Sequence, residues 1–258
     1  MQTQDVRIDW QPATLQITLA RPQKRNAITV AMYAAMEEAM AQAEVDPEIR
    51  SVIFAGDGAN FCAGNDLADF VANQPASVAE FEDRPVMRFI RALAGARKVL
   101  IAAVQGHAVG IGTTLLLHAD FVLAEPDARL QMPFVDLALV PEAGSSLLVP
   151  LLVGQRRAAE LLMLGEAIDA TRAVELGLAN RVVPAGTALA EAHLLAARLA
   201  ENPAGALLAT KKLMKSATTD LAARIAEEST AFSARLQTDE LRQTVQKFFQ
   251  SRAKATAA

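Results

Sequence analysis

Leu15, Ile17 and Leu19 alternate with Gln16 and Thr18, the period-two pattern of a strand with one buried face, and Arg21-Pro22 closes it. From Thr29 to about Val45 the period lengthens to that of a helix, with Tyr33, Met36 and Met40 on one face. Ser51 to Gly56 is a short apolar strand, Val99 to Gln105 another and Asp120 to Ala124 a third. Strands separated by helical stretches predict parallel pairing with helical crossovers, an α/β fold. Residues 71 to 85 show no clean period and read as a mobile loop or a short helix. After Pro184 the pattern becomes Ala-rich and helical over 188–200, 204–216 and 220–253, with no further strand signal. A core over 1–184 and a helical region over 185–258 follow, with no low-complexity linker between them.

Composition narrows the class. Of the 258 residues 52% are hydrophobic but only 5% aromatic, so the core must be built mainly from Ala, Leu and Val. A net charge of −4 gives no general attraction to nucleic acid or anionic lipid, so any anion site must be local. One cysteine excludes an internal disulfide framework, and Cys62 reads as packing. The start Met-Gln-Thr-Gln-Asp lacks a basic, apolar leader, no apolar run is long enough to cross a bilayer, and Ala-Thr-Ala-Ala is not a peroxisomal address of the Ser-Lys-Leu kind. A cytoplasmic location is the resulting expectation. His107 reads as structural, His118 lies on an apolar helix and His193 on a tail helix that reads as exposed, and without a His/Cys/Asp cluster at ligand spacing neither a metal nor another cofactor is expected.

Two segments carry candidate chemistry. Phe61-Cys-Ala-Gly-Asn-Asp-Leu67 and Ile101-Ala-Ala-Val-Gln-Gly-His-Ala-Val-Gly-Ile-Gly112 each bring a glycine turn to the end of an apolar strand, and the second opens into a helix. Glycine turns let a ligand approach the backbone, and the first amides of a helix lack internal partners. Amides from two such turns, converging on one oxygen, would stabilise an oxyanion without a metal.

These segments resemble the crotonase family, the enoyl-CoA hydratase and isomerase superfamily. The resemblance spans nearly the whole chain, from Ala20-Arg-Pro-Gln-Lys-Arg-Asn-Ala-Ile28 through both turns and Val140-Pro-Glu-Ala-Gly-Ser-Ser146 to Thr171-Arg-Ala-Val-Glu-Leu-Gly-Leu-Ala-Asn-Arg-Val-Val183. It implies a crotonase spiral, ClpP-like, of ββα units with a C-terminal helical region that covers the acyl site and builds a homotrimer or a dimer of trimers. From sequence alone that region equally well caps its own subunit. The resemblance assigns the oxyanion amides to Asn65 and Ile111, the latter where the family usually has the middle of three glycines. Isoleucine can serve if that position needs no positive φ.

The two glutamates that activate water in the family's hydratases fall at Thr114 and Phe134, neither of which can take a proton at neutral pH. Glu142 is the acid that remains, in the turn where isomerases of the peroxisomal enoyl-CoA type keep their proton-shuttling glutamate. An apolar approach, Val135 to Pro141, would desolvate it and strengthen it as a base. The resemblance thus points to an isomerase that carries 3-enoyl-CoA to 2-enoyl-CoA through a dienolate, with 2-enoyl-CoA hydratase or a non-catalytic acyl-CoA binder as alternatives. CoA is part of the substrate and not a cofactor.

For the CoA phosphates, Arg21, Lys24 and Arg25 form a basic cluster, which is either a phosphate contact or a solvated charge run, and Lys211, Lys212, Lys215 and Lys247 of the tail are further candidates. Ala63 would present its backbone to the adenine end. Asp66 reads first as the cap of the next helix and second as a substrate contact; Asp136 reads as a surface group beside the Glu142 turn. Phe70, Phe81, Phe89 and Phe134 are candidates for an acyl tunnel or for ordinary core. A serine hydrolase is excluded because Gly144-Ser-Ser-Leu-Leu148 lacks the closing glycine of a nucleophile elbow, and a dinucleotide enzyme because Gly110-Ile-Gly112 lacks the third glycine.

Overall fold

The computed structural model describes residues 4–72, 77–215 and 220–257, with the side chains of 70, 71 and 251–257 outside that description. Phe70 and most of the stretch read as a loop before Ser77 therefore fall outside it.

Strands β1 (Val6–Gln11) and β2 (Thr14–Leu19) form an antiparallel hairpin, and α1 (Val30–Val45) crosses over to β3 (Ser51–Gly56), parallel to β2. Helices α2 (Leu67–Ala72), α3 (Val78–Glu82) and α4 (Pro85–Gly95) lead to β4 (Val99–Val104), parallel to β3. The chain then winds in shorter turns. β5 (His107–Val109) and α5 (Ile111–Thr114) are followed by β6 (Phe121–Ala124), β7 (Arg129–Gln131), α6 (Ser145–Val153) and α7 (Gln155–Met163), and then by β8 (Ile168–Asp169), α8 (Ala170–Glu175) and β9 (Arg181–Val182). The strands sort into a six-stranded sheet, β1-β2-β3-β4-β6-β9, and a three-stranded sheet, β5-β7-β8. From β4 to β7 successive turns place one strand in each sheet, the spiral of ββα units that the resemblance implies.

Local chemistry explains the boundaries. Thr29 caps α1 by accepting a hydrogen bond from the Met32 amide at 3.3 Å, and Met32, Tyr33, Met36 and Met40 form its buried face. β1 is a strand beyond those read from the pattern. Its turn carries no glycine or asparagine at the left-handed position, which Ala13 fills at φ 60°.

β2 departs from the expected half-buried strand, since all six of its residues are buried. A helix of the tail covers the face that a solvated strand would leave to water. Its polar side chains are satisfied inside: Thr14 shares a hydrogen bond with Ser51, Gln16 donates to Thr18 and bonds His193 at 2.7 Å. His193 is accordingly partly buried and not the exposed residue that its helix suggests.

That covering helix is α9 (Ala188–Ala200), which sets Ala188, Ala192 and Ala196 against Ile53, Ala55, Ile101, Ala103 and Leu123 in a second core cluster. α10 (Ala204–Lys215) follows, and the expected single segment over 220–253 is two helices, α11 (Leu221–Leu236) and α12 (Asp239–Ala257). Thr238 interrupts them, accepting from the Leu241 amide at 3.3 Å as an N-cap does. α11 packs on α3, α4 and α6 of its own chain. Two tail lysines are likewise taken up by the core and not held out for an anion. Lys211 donates to Asp120 and to the Lys98 carbonyl, both at 2.5 Å, and Lys215 to the His118 carbonyl at 2.9 Å. No helix among the described residues is long and apolar enough to cross a membrane.

The Lys211–Asp120 pair pins α10 to the sheet, with both side chains mostly buried. Lys211→Met would leave the Asp120 carboxylate buried with one charge uncompensated, and urea unfolding should show a loss of roughly 3–5 kcal/mol. A loss within experimental error would mean that α10 is held by apolar contacts alone.

Candidate active site

The two glycine turns run side by side. Cys62 and Ala108 form a parallel bridge, in which the Cys62 amide donates to the His107 carbonyl at 2.9 Å and the Val109 amide to the Cys62 carbonyl at 2.8 Å. The same offset in sequence separates Asn65 from Ile111, so the two turns carry these residues at matching positions beyond the bridge. Contact is close enough to require glycine: a Cβ on Gly112 would lie 2.8 Å from both the Cβ and the carbonyl oxygen of Cys62.

Each amide is left over by the way its turn is built. A second bridge joins Asn65 to Ile28, through Ile28 N–H to Gly64 O at 2.8 Å and Asp66 N–H to Ile28 O at 2.9 Å. Both bonds use the neighbours of Asn65, so its own N–H points away from that strand. Gly110 takes the positive φ, 56°, which lets Ile111 begin α5 in ordinary helical geometry with no preceding turn to accept its N–H. The condition that isoleucine sets at this position is met. Among the described residues neither amide has a hydrogen-bond acceptor.

Glu142 is joined to the same short helix. Thr114, one turn and about 4.5 Å of helical rise beyond Ile111, donates its hydroxyl to Glu142 Oε1 at 2.5 Å. Glu142 is 9% exposed. Burial pushes its carboxyl up from 4.5 to about 8, against the pull of the Thr114 bond and with added repulsion from Glu228.

The turn around it is held on several sides. Ser145 bonds the Glu142 carbonyl through both amide and hydroxyl, at 3.0 and 2.6 Å, and His118 Nε2 lies 2.8 Å from the Ala143 carbonyl. A carbonyl can only accept, so His118 carries its proton on Nε2. Burial lowers its pKa to about 4 and keeps it neutral. Ala143 and Gly144 both adopt positive φ, 57° and 74°.

Three groups in this environment escaped the sequence reading. Tyr33 on α1 donates to Asn65 Oδ1 at 2.6 Å, and burial followed by the nearby Glu142 carboxyl raises its own pKa well above 10.0, so it remains a donor. Its place on the buried face of α1 was visible, but its partner lies in a distant segment. Asn26, fully buried at φ 57°, ties the basic turn to the first glycine segment by donating to the Asp57 and Asn60 carbonyls at 2.9 and 2.7 Å.

Glu228 on α11 is the third. It accepts from the Gly144 and Ser146 amides at 2.6 and 2.8 Å, which caps α6 in place of a side chain that Gly144 lacks. Gly144 allows this, since a Cβ there would meet Leu221 of α11 at 2.4 Å. Burial raises the Glu228 carboxyl, and the Ser146 and Gly144 bonds oppose that rise. One glutamate on a charged helix surface gave no signal of this use.

Asn65, Glu142 and Glu228 line one cavity, walled otherwise by Phe81, Val86, Met87, Ile90, Ala143, Ile225, Ser229 and Phe232. Phe81 and Phe232 stack across it with centroids 5.7 Å apart, and the remaining space has room for about one water molecule. Of the other aromatic candidates, Phe89 is core against Tyr33 and Phe54. Phe134 is likewise buried in the core and not in the cavity wall, because it packs inward at the start of a single 3₁₀ turn.

The CoA candidates divide. Arg21 is not free for a phosphate: it pairs with Asp66 at 2.7 Å and donates to the Ala27 carbonyl at 3.1 Å. Asp66 in turn accepts from the Ala68 and Asp69 amides at the start of α2, the capping role, and faces Arg21 in place of substrate. Partial burial works to raise its pKa, but the Arg21 bond, with the amide bonds and the Arg21 charge, holds it below the usual value. Lys24 and Arg25 are exposed, and the Arg25 carbonyl accepts from the Ala63 amide at 2.9 Å, so Ala63 lies beside this basic turn. Asp136 is exposed beside Gly165. Cys62 is a buried thiol whose pKa desolvation raises to about 12, which leaves it unreactive. Among the described residues no three His, Cys, Asp or Glu side chains are placed to hold a metal.

Comparison with known proteins shows the family and the fold. Residues 10–255 match the profile of the enoyl-CoA hydratase/isomerase family. The chain is 37% identical over 208 residues to 1,2-epoxyphenylacetyl-CoA isomerase of Escherichia coli, covering 79% of each protein. It is 32% identical to 2,3-dehydroadipyl-CoA hydratase of the same organism, covering 94% of each. The solved structure of OdaA from Pseudomonas aeruginosa superposes with a TM-score of 0.91 at 42% identity, covering 95% of this chain and 99% of that one.

The surroundings of Glu142 give a titration test. In carbon NMR of the labelled protein its carboxyl should titrate near pH 8. Thr114→Val removes a bond that favours the carboxylate and should move the midpoint up, while Glu228→Gln removes a like charge and should move it down. Midpoints that stay together in all three proteins would show that neither neighbour acts on Glu142.

Proposed function

Because the chain belongs to the enoyl-CoA hydratase/isomerase family, within the crotonase superfamily, we propose that it moves the double bond of a 3-enoyl-CoA to the conjugated 2-enoyl-CoA. The observation that carries this reading is one desolvated carboxyl, Glu142, in the same cavity as Asn65 and bonded to the helix that Ile111 begins.

Glu142, as carboxylate, takes a proton from C2; the C–H electron pair forms a C1–C2 double bond while the thioester oxygen becomes anionic. The amides of Asn65 and Ile111 bind that oxygen. The pair then returns through C2 and C3, the C3–C4 double bond takes up the proton from Glu142 at C4, and the thioester carbonyl reforms. No proton is consumed, so one carboxyl suffices. The CoA moiety is assigned to the exposed Lys24 and Arg25 and to the backbone of the neighbouring Ala63. Because the cavity is nearly closed, an acyl group enters as Phe81 and Phe232 separate. Hydration of 2-enoyl-CoA is the second reading, and the presence of Glu228 as another carboxyl in the cavity favours it. Both Glu228 oxygens are engaged by the Gly144 and Ser146 amides, which supports a holding role over that of a second base.

Glu142→Gln should lower isomerisation by roughly 10²–10⁴-fold with little change in acyl-CoA affinity. In the wild type kcat/KM should climb with pH through about 8, since activity needs the carboxylate and burial raises its pKa. The same shift favours the folded protein below pH 4.5, and that stabilisation fades as pH rises toward 8. Assayed in parallel, hydration should be much slower than isomerisation, because Thr114 and Phe134 stand where hydratases have acids. Hydration at a comparable or higher rate, or near-normal isomerisation by the variant, would overturn the assignment.

The assembly we propose is a homotrimer or two stacked trimers. Leu151, Leu194, Leu213 and Met214 on the later helices, with Met163 and Leu164 at the end of α7, are exposed large apolar residues of the kind that subunit contacts bury. Light scattering at micromolar protein should give a trimer mass or a multiple of it; monomer alone would defeat the proposal.

A further inference from the structure

We propose that α11 gives the acyl cavity a subsite for a hydroxyl group, in which Ser229 donates to the substrate hydroxyl and Glu228 accepts from it. This rests on the acyl-CoA reading of the cavity and adds a substrate class to it: acyl groups that carry a hydroxyl.

The first observation is an unused hydroxyl. Ser229 is 3% exposed, lines the cavity together with Asn65 and Glu142, and among the described residues its Oγ is buried without any hydrogen-bond partner. Serine inside a helix commonly bonds back to a carbonyl of the preceding turn, and buried hydroxyls are almost always satisfied. Ser229 does neither. Its neighbours on the same helical face, Ile225 and Phe232, also line the cavity, so the residue is presented to the space that an acyl group would fill.

The second observation is the acceptor beside it. Each oxygen of Glu228 receives one backbone amide, from Gly144 and from Ser146. The Ser146 side chain is a third donor to this carboxylate, and since each carboxylate oxygen accepts at two positions, one position remains. Serine can donate and Glu228 can accept, and the group that answers both is a hydroxyl. A carbonyl or ether oxygen only accepts, and it would leave Glu228 unanswered. A substrate hydroxyl in this space makes both bonds, whereas a methylene in the same place leaves both buried groups unanswered.

Saturated thioesters test this without turnover, since they have no double bond to move and the result does not depend on Glu142 as a base. Calorimetric titration would compare hexanoyl-CoA with its 4-, 5- and 6-hydroxy forms on the wild type and on Ser229→Ala. At least one hydroxy form should bind the wild type about tenfold more tightly than hexanoyl-CoA, the worth of roughly one well-placed hydrogen bond. In Ser229→Ala that preference should vanish while hexanoyl-CoA binds as before. Equal binding of all four by the wild type, or a preference that survives in the variant, would overturn the subsite and leave the acyl-CoA reading intact. Failure of all four thioesters to bind would overturn both.

Discussion

A carboxyl group kept out of water is stable only if its surroundings either neutralise it or hold it, and Glu142 is held. Thr114 hydrogen-bonds its side chain, while Ser145 and His118 fix the carbonyls of Glu142 and of Ala143 after it. The result is a carboxyl whose proton affinity is raised by desolvation. The two left-handed residues after it, Ala143 and Gly144, turn the chain sharply enough to bring α11 against the start of α6. Ile225, Glu228, Ser229 and Phe232 reach the cavity beside Glu142 through that approach.

The site is assembled from turns that could not be ordered individually. The bridge between Cys62 and Ala108 locks the two glycine segments in register, and Asn26 and Tyr33 extend the frame to the basic turn and to α1. Close packing sets tolerances here: Gly112 against Cys62 leaves no room for a methyl group. The segments that carry the Asn65 and Ile111 amides are neighbours in one small sheet-like ladder.

The tail converts this open frame into an enclosed cavity. α9 covers the sheet and removes the exposed face of β2, α10 is anchored by the Lys211–Asp120 pair, and α11 brings Ile225, Glu228, Ser229 and Phe232 to the acyl side. Glu228 does two things from one position. It caps α6 through the Gly144 and Ser146 amides, and its charge bears on Glu142.

Much of this was legible in the order of residues. Alternation placed β2, the helical period placed α1 and α9, and the two glycine turns and Glu142 were picked out as segments that the fold does bring together, because those signals lie within a few neighbouring residues. Local signals also misled where a distant element decides burial. Gln16 and Thr18 looked solvent-facing until α9 covered them, Lys211 looked free for a phosphate until Asp120 met it, and Arg21 until Asp66 did. Phe134 had an aromatic side chain in a suggestive place but packs into the core. Glu228 and Ser229 had no local signal at all, since nothing on a helix surface tells which residues will face a cavity made by segments some eighty positions away. The sequence by itself determined the elements, the glycine turns and the acid; tertiary structure decided what each charged group faces, because burial and pairing depend on atoms brought together only when the chain has folded.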